Sequence, residues 1–360
     1  MKEKVIIGVS GGVDSSVAMK LLKDSGYNLE AIFMKNWDED DITNGCNAKE
    51  DLMYAKDACE ILNINLHTVN FSDQYWNNIF IDFIDNYKKG YTPNPDILCN
   101  KYIKFKVFIE YAESLGAKKI ATGHYAKIIK DNNVHYLGIP KDPKKDQTYF
   151  LHTLDQVQLS KVIFPLSDLY KSEVRDIAKK NNFKAFNKKD SMGICFIGNK
   201  KFKNFISKYI DNNPGDIVSS DNKLLGKHNG MFYTTIGQRE GIGLGGIKNE
   251  KELPWYVYKK DLKNNTLYVC QGNDNSLLFH KQIYIKDLHI INNDENNILN
   301  KNLKCQIRHL GNKHKCTVNK VNNKIYNVSL EESLRAPAPG QSLAIFDQTK
   351  CLGGGIITNV

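Results

Sequence analysis

The feature that most constrains the fold of this chain is a glycine-rich turn between an apolar run and a helical pattern. Lys4 to Val9 reads KVIIGV, which suits a buried parallel strand, and SGGVDSS follows at once. Beyond the turn, Val13, Val17 and Leu21 recur at helical spacing. Adjacent glycines allow a sharp turn, and the amides at the start of the helix then face an anion. The segment predicts a phosphate-binding loop.

The first half of the chain continues to alternate between strand and helix patterns. Strands are predicted at Leu29 to Met34, Leu66 to Asn70 and Lys119 to Thr122, with a helix from Asn47 to Leu62. This alternation predicts an α/β domain with a doubly wound parallel sheet.

The pattern changes after about Phe205. Residues 212–246 are rich in Gly, Asn and Ser, which indicates a small separate domain or a long connection. From about Leu277, short β segments with turn residues between them predict a small barrel or sandwich. These segments are Gln282 to Ile291, Leu303 to Arg308, His314 to Val321, Lys324 to Leu330, Ser342 to Asp347 and Leu352 to Ile357. We expect a catalytic domain at 1–205, a small central domain at 206–276 and a C-terminal β-barrel domain at 277–360.

Composition narrows the class of partner and the compartment. The 360 residues carry 50 Lys and Arg against 40 Asp and Glu, a net charge of +10 that favours phosphate-rich partners. Lys-rich usage can also reflect a biased genome, so charge alone does not decide for nucleic acid. The apolar runs are strand-sized, which predicts no membrane span. The N-terminus lacks the pattern of a signal or transit peptide, so we expect a cytoplasmic protein.

The chemistry of the turn depends on its polar side chains. Ser10, Ser15 and Ser16 can donate hydrogen bonds to phosphate, and Asp14 can hold Mg²⁺ against it. The Lys-Ser/Thr ending of a Walker A loop is missing, which disfavours γ-phosphate transfer. An ordinary glycine turn is the simpler alternative. SGGVDSS resembles the PP-loop of ATP pyrophosphatases, which adenylate a carbonyl oxygen and release pyrophosphate.

A more specific resemblance comes from motifs spread along the chain. They are MKNW (34–37), NPDILCNKYIKF (94–105), TGHYA (122–126), KDQTYFL (145–151), DSMGICFIG (190–198), TIGQR (235–239) and APGQSLAIFD (338–347). In their order they resemble the tRNA-specific 2-thiouridylase family, nearly end to end. The resemblance implies ATP-dependent 2-thiolation of the wobble uridine of tRNA, with ATP and Mg²⁺ as cofactors. It implies ATP contacts at Gly8, Val9, Ser10, Gly11, Gly12, Val13, Asp14, Ser15, Met34 and Gly123.

The family's pattern assigns the sulfur chemistry to two cysteines. Cys195 carries a persulfide, Cys99 acts as nucleophile or resolving thiol, and the two form a transient disulfide. A second thiol is useful because it can release persulfide sulfur by exchange. Asp96 is the acid/base candidate. A reactive thiol needs some exposure and a lowered pKa, and nearby Lys101 and Lys104 favour the Cys99 thiolate. The alternative is that both cysteines are inert core thiols.

The same resemblance implies the tRNA contacts. They are Asn94, Pro95, Asp96, His124, Lys145, Asp146, Gln147, Arg308, His309 and Gln341. Chemistry on a base requires an unstacked nucleotide, whose edge Asn, Asp and Gln can bind while Arg and Lys hold phosphates. Without the resemblance, Lys145 and Arg308 would be ordinary surface charges.

The remaining cysteines and acidic residues predict no metal site. No C-x-x-C pair exists, so a zinc ribbon is not expected, and the other six cysteines are expected to be core thiols. The acidic stretch Asp38 to Asp41 is interpreted as a solvated loop rather than a metal site. The predicted function also requires a persulfide donor, either a cysteine desulfurase or a sulfur-relay protein. Two alternatives stay open, a PP-loop ligase that uses ammonia and a non-catalytic tRNA-binding protein.

Overall fold

The computed structural model describes residues 2–37, 48–189, 202–245 and 253–359. Its strands are β1 (Lys4–Val9), β2 (Asn28–Lys35), β3 (Leu66–Asn70), β4 (Lys119–Ala121), β5 (Lys127–Asp131), β6 (Val134–Gly138), β7 (Val162–Ile163), β8 (Gly215–Ser219), β9 (Leu224–His228), β10 (Trp255–Asp261), β11 (Thr266–Gln271), β12 (Phe279–Ile290), β13 (Leu303–Gln306), β14 (His314–Lys320), β15 (Ile325–Arg335), β16 (Ser342–Asp347) and β17 (Lys350–Asn359).

Helices connect most of the early strands. They are α1 (Val13–Asp24), α2 (Ala48–Ile61), α3 (Ser72–Tyr75), α4 (Ile81–Lys88), α5 (Pro95–Leu98), α6 (Phe108–Ser114), α7 (Thr148–Leu151), α8 (Gln156–Lys161), α9 (Lys171–Lys180) and α10 (Phe202–Ile206). Two π-helical stretches, Trp76–Phe80 and Cys99–Val107, join α3 to α4 and α5 to α6. Single 3₁₀ turns lie at Lys184–Asn187, Met231–Tyr233, Ser276–Leu278 and Glu295–Asn297.

The N-terminal sheet is parallel and has the order β3-β2-β1-β4-β7. β1 lies in its middle, with β2 paired along one side and β4 along the other. Val5, Ile6 and Ile7 of β1 are fully buried, as expected for a strand covered on both faces. The strand order reverses between β1 and β4, and such a switch point opens a crevice beyond the carboxyl ends of the strands. The predicted doubly wound sheet is confirmed.

The two faces of this sheet have separate cores. On one face Val17 of α1 and Val174 of α9 lie in one buried cluster with residues of β1 and β2. On the other face Phe105 and Phe108, from the helical stretch 95–114, pack with Ile6. The phosphate-binding turn is therefore anchored by a packed helix on one side and approached by residues 95–114 on the other.

The C-terminal strands form a closed barrel. Their order is β12-β15-β14-β13-β16-β17, and β12 also pairs with β17 to complete the circle. Ile283, Val318, Val328 and Leu343 are fully buried inside it. The barrel prediction is confirmed, and each predicted strand overlaps an observed one.

A hairpin from the first half of the chain extends this barrel, which the sequence analysis did not predict. β5 and β6 pair with each other, and Leu137 and Gly138 of β6 then pair with Cys351 and Lys350 of β17. The hairpin follows β4 after only five residues. It therefore joins the carboxyl edge of the parallel sheet directly to the barrel.

The middle of the chain contributes a third sheet, of order β10-β11-β8-β9. None of these four strands was predicted from the sequence, where residues 212–246 indicated only a small separate domain or a long connection. Val257 and Leu267 of this sheet pack with Ala336 and Ala338, which follow barrel strand β15. The boundaries expected at residues 205 and 276 stay a prediction.

Candidate active site

The phosphate-binding turn links β1 to α1 and is closed by its own serines. The Ser15 hydroxyl accepts from the Ser10 amide at 3.2 Å and donates to the Gly12 carbonyl at 3.1 Å. The Ser16 hydroxyl donates to the same carbonyl at 3.1 Å. Gly11 has φ +69°, and a Cβ added there would lie 2.0 Å from the Asp51 carbonyl oxygen. The turn therefore requires glycine at this position.

Asp14 lies in the first turn of α1 and is held from two directions. The Tyr125 hydroxyl donates to its Oδ1 at 2.9 Å, and the Lys171 ammonium donates to both carboxylate oxygens at 2.7 Å. Lys171 is the first residue of α9, 157 positions along the chain. No local pattern identifies it, so the sequence analysis missed this cation beside the turn.

The segment after β4 meets the turn at the switch point of the sheet. A Cβ added to Gly123 would lie 2.8 Å from the Ser15 amide nitrogen, so the two backbones are in direct contact. His124 follows, with its Nδ1 2.8 Å from the Thr122 hydroxyl and its ring close to those of Phe105 and Phe164. Burial, with the nearby Lys104 charge, holds the pKa of His124 well below its usual range. The imidazole is therefore neutral.

The remaining predicted ATP contacts gather at the same edge. A Cβ added to Gly8 would lie 3.1 Å from Cε of Met34, at the end of the neighbouring strand. Val9 and Val13 turn their side chains into the core and can offer a ligand only backbone groups. The structure thus brings the predicted ATP contacts together at one crevice.

A helical stretch from Pro95 to Ser114 carries two of the three predicted catalytic residues, Asp96 and Cys99. Asn94 caps it by accepting from the Asp96 amide at 3.1 Å, and Pro95 occupies the first helical position. The stretch becomes π-helical at Cys99, a conformation common at functional sites. Burial raises the pKa of the Asp96 carboxyl, and Lys104 partly offsets that rise. Asp96 therefore resembles a tuned acid/base group more than a surface carboxylate.

Cys99 differs from its expectation in one respect. Cys99 is only 3% exposed, and it lies in an aromatic cluster that includes Trp37, Tyr75 and Phe80. The expected exposure of a reactive thiol is therefore not met in this conformation. Cys195 and its motif lie outside the described residues, so the Cys99–Cys195 pairing stays a prediction.

Other described cysteines match the expectation of inert core thiols. Burial raises the pKa of Cys59 to about 12, that of Cys270 to about 11 and that of Cys351 to about 12. Cys305 and Cys316 are buried side by side in the barrel, and their contact raises the Cys305 pKa further. Cys46 and the acidic residues 38–41 lie outside the described residues.

Two of the predicted tRNA contacts, Asp146 and Gln147, join distant segments of the chain. The buried Asp146 carboxylate accepts from the Thr148 amide at 2.9 Å and from Lys313 of the barrel at 3.0 Å. Gln147 binds the backbone of Tyr125, accepting from its amide at 2.9 Å. Three positions after Asp146, Tyr149 donates to the Ser342 carbonyl at 2.9 Å.

The C-terminal predicted contacts lie at the same junction. Arg308 donates to the Ala336 carbonyl at 2.9 Å, and the His309 ring packs 4.5 Å from that of Phe150. Gln341 donates to the Thr92 carbonyl at 2.6 Å, two residues before Asn94. The structure thus links the barrel to the start of the helix that carries Asp96 and Cys99.

Among the described residues no group of three or more His, Cys, Asp and Glu side chains could hold a metal ion. Within the same ranges no helix has the length and hydrophobicity needed to cross a membrane.

The parallel sheet and its phosphate turn define the class as HUP-type nucleotide-binding domains. Residues 3–199 match a family model described as "tRNA methyl transferase HUP domain". Residues 203–271 match "tRNA methyl transferase PRC-barrel domain", and residues 280–357 match "Aminomethyltransferase beta-barrel domain".

Relatives match from end to end. The tRNA-specific 2-thiouridylase MnmA of Legionella pneumophila (strain Lens) is 46% identical over 100% of this chain and 99% of its own length. The protein of that name from Buchnera aphidicola subsp. Schizaphis graminum is 47% identical over 99% of this chain and 97% of its own length. The chain belongs to the tRNA-specific 2-thiouridylase family.

Among solved structures, a partial match is the U34-tRNA thiolase NcsA from Methanococcus maripaludis. It is 19% identical, has a TM-score of 0.35, and the match covers 57% of this chain and 65% of that one.

Proposed function

We propose that this protein catalyses ATP-dependent 2-thiolation of the wobble uridine of tRNA. The observation that carries the proposal is the junction of three segments at one sheet edge: the phosphate turn, Gly123-His124, and the helix of Asp96 and Cys99. The family models are named for methyl transfer, whereas the relatives are named for thiolation. Cys99 and Cys195, in the motifs NPDILC and GICFIG, favour sulfur chemistry.

The phosphate turn binds ATP and directs it toward adenylation. The uridine O2 attacks the α-phosphorus, an O–P bond forms, and pyrophosphate leaves. The close packing of Gly11 and Gly123 keeps side chains out of the turn, so its amides can approach phosphate. We propose that Mg²⁺ binds together with ATP, because it would neutralise the negative charge of the phosphates. Asp14 is the carboxylate available to it, and binding would have to compete with Lys171.

Asp96 moves the proton that this activation displaces. Adenylation at O2 requires N3 of the uridine to lose its proton, and the product regains one when C2 carries sulfur. A carboxyl whose pKa is raised by burial is a better base than an exposed one. His124, kept neutral by burial, can hydrogen-bond the base without adding a charge.

Two thiols complete the exchange. The terminal sulfur of the Cys195 persulfide bonds to C2, and AMP departs. The Cys99 thiolate then attacks Sγ of Cys195 and breaks the S–S bond, which leaves sulfur on C2 and a Cys99–Cys195 disulfide. An external dithiol must reduce that disulfide before the next turnover. Because Cys99 is buried, the proposal requires the surrounding segments to open when RNA and persulfide bind.

The RNA contacts belong to the same proposal. The segments that meet at the barrel junction would position the unstacked nucleotide. Their predicted contact residues are Asn94, Pro95, Lys145, Gln147, Arg308, His309 and Gln341. The persulfide comes from a cysteine desulfurase or a relay protein. The cytoplasm, where ATP and tRNA are both available, is the proposed compartment.

The decisive experiment is single-enzyme reconstitution. The full chain is incubated with tRNA transcript, Mg-ATP, a dithiol and a desulfurase that supplies persulfide, and the digested nucleosides are weighed. We expect a mass gain that corresponds to exchange of one oxygen for sulfur on uridine, with pyrophosphate released in equal amount. Pyrophosphate release without any thiolated nucleoside would contradict the proposal.

Matched cysteine variants sharpen that experiment. Cys99→Ser and Cys195→Ser should both abolish thiolation, while Cys59→Ala should retain it. Cys59 is a fair control because its thiol is buried against Met19 in the core, on the opposite face of the sheet from residues 95–114. Full thiolation by Cys195→Ser would refute the sulfur-carrier role.

A further inference from the structure

The side chains of Arg308 and Arg335 converge on Gly237, which lies in the motif TIGQR. Arg308 is a predicted tRNA contact, whereas no role was predicted for Arg335. A Cβ added to Gly237 would lie 3.4 Å from Nη1 of Arg335 and 3.8 Å from Nη2 of Arg308. The two nitrogens are therefore no more than about 7 Å apart. Arg308 follows barrel strand β13, and Arg335 ends β15.

Neither guanidinium is neutralised by a carboxylate within the described ranges of the chain. Arg308 donates to the Ala336 carbonyl at 2.9 Å, and Arg335 donates through Nε to the Asn273 carbonyl at 3.2 Å. Nη2 of Arg335 is buried without a hydrogen-bond partner, while its guanidinium lies 4.9 Å from the centre of the Tyr256 ring. Two close cations with an unsatisfied donor form an arrangement that an anion would stabilise.

The backbone that positions the pair is unusual. Ala336 has φ +52°, in the left-handed region that residues with a Cβ rarely adopt. Its amide donates to the Leu278 carbonyl at 2.7 Å, and its Cβ packs against Gly237, where a Cβ would approach to 2.5 Å. Such conformations persist where their surroundings fix them, and they cluster at ligand sites. Here the Ala336 carbonyl accepts from Nη2 of Arg308, the nitrogen that lies near Gly237 together with Nη1 of Arg335.

We propose that Arg335 and Arg308 together bind one phosphodiester group of the substrate RNA. The planar fork of each guanidinium matches phosphate oxygens, and one phosphate can bridge two nitrogens at this separation. The site adjoins the helical stretch that carries Asp96 and Cys99. Thr235, two residues before Gly237, has its hydroxyl 3.3 Å from the Thr92 hydroxyl, and the Thr92 carbonyl accepts from the Gln341 side chain. The inference deepens the proposed function, on which it rests, by adding Arg335 as a residue that positions RNA.

The test is the salt dependence of RNA binding. Dissociation constants for an unmodified tRNA transcript are measured from 50 to 300 mM salt for the full chain and for Arg335→Gln, Arg335→Lys and Arg308→Gln. Each lost phosphate contact should lower the slope of log K against log salt by about 0.7–0.9. We expect Arg335→Gln to weaken binding about tenfold and to lower the slope by this amount. The Arg335→Gln, Arg308→Gln double variant should lower the slope no further, because the phosphate is held only when both guanidiniums are present.

Controls separate charge, folding and function. Lys324→Gln removes one exposed charge from a barrel turn and should leave both the affinity and the slope unchanged. Arg335→Lys keeps the charge but not the fork, so it should recover only part of the affinity, and a thermal melt checks that each variant is folded. In steady state Arg335→Gln should raise KM for tRNA far more than it lowers kcat.

Two failures remain distinguishable. An unchanged slope in folded Arg335→Gln would overturn the phosphate site even if the full chain thiolates tRNA. A wild-type protein that binds RNA through Arg335 but produces no thiolated nucleoside would overturn the proposed function and leave the site intact.

Discussion

The phosphate turn and the barrel junction, both rich in predicted site residues, are built in opposite ways. In the turn, the hydrogen bonds of Ser10, Ser15 and Ser16 join residues at most five positions apart. At the junction, Asp146 reaches Lys313 across 167 positions and Gln341 reaches Thr92 across 249. A short motif can encode the serine hydrogen bonds of the turn, although Tyr125 and Lys171 reach Asp14 from distant segments. The junction, in contrast, exists only when distant segments have folded together. Substitutions should therefore impair chemistry at the sheet edge and stability at the junction.

Apart from loss of the two cysteines, the largest effect should come from Asp96, which belongs to the sheet-edge region. Asp96→Asn should lower the thiolation rate by about 10²–10⁴-fold, because an amide cannot accept the proton. Burial raises the Asp96 pKa above its usual 3.8, so the folded state binds more protons there than the unfolded state. That difference destabilises the fold increasingly as the pH rises through the raised pKa.

Asp96→Asn should therefore be at least as stable as the wild type at pH 7 while being inactive. The wild-type rate should fall as the pH drops through the raised pKa, and the residual rate of the variant should lack this acid limb. Rate profiles and urea unfolding from pH 5 to pH 8 measure both effects. A variant that loses stability and activity in proportion would assign Asp96 a structural role instead.

A backbone substitution at the sheet edge should have the next largest effect. In Gly123→Ala the added methyl would meet the Ser15 amide at 2.8 Å and the Ser15 Cα at 3.0 Å, and neither belongs to a flexible side chain. The clash would displace the backbone of the phosphate turn, and this displacement should reduce ATP-dependent pyrophosphate release by about 100-fold. Gly245→Ala is the control, since a Cβ there meets nothing within 4 Å. Equal activity of the two variants would show that the turn tolerates movement.

The contrast between short-range and long-range contacts explains which parts of the fold and the site could be predicted from the sequence. The strand, turn and helix from Lys4 to Asp24 follow from local periodicity and glycine geometry, and so do the barrel strands. The pairing of β6 with β17 and the contact of Lys171 with Asp14 span 212 and 157 positions, and no local pattern specifies them. The burial of Cys99 likewise depends on aromatic residues from several helices. The motifs predict the site residues only as a set, whereas the fold separates those that face the crevice from those that hold distant segments together.

The junction should respond through stability. Asp146→Asn leaves the Lys313 ammonium without its carboxylate in a largely buried position, where the two now lie 3.0 Å apart. The free energy of unfolding should fall by about 1–3 kcal/mol, as measured by urea denaturation. Lys313→Met completes a double-mutant cycle, and the two losses should be strongly non-additive. Additive losses would mean that the ion pair contributes little and that Asp146 is available to RNA.

The smallest effect tests a second long-range contact. Lys260 of β10 donates to the Gly90 carbonyl at 3.0 Å, and burial lowers its pKa from 10.5 to about 8. Between these values the unfolded state binds more protons, so stability should rise with pH across that range. Because Lys260 is partly exposed to solvent, we expect the free energy of unfolding to rise by only about 1 kcal/mol across this range. Lys260→Met should flatten this rise and Lys259→Met, at the exposed neighbouring position, should not. If both variants keep the wild-type slope, Lys260 does not titrate in this range, and its burial carries no electrostatic cost.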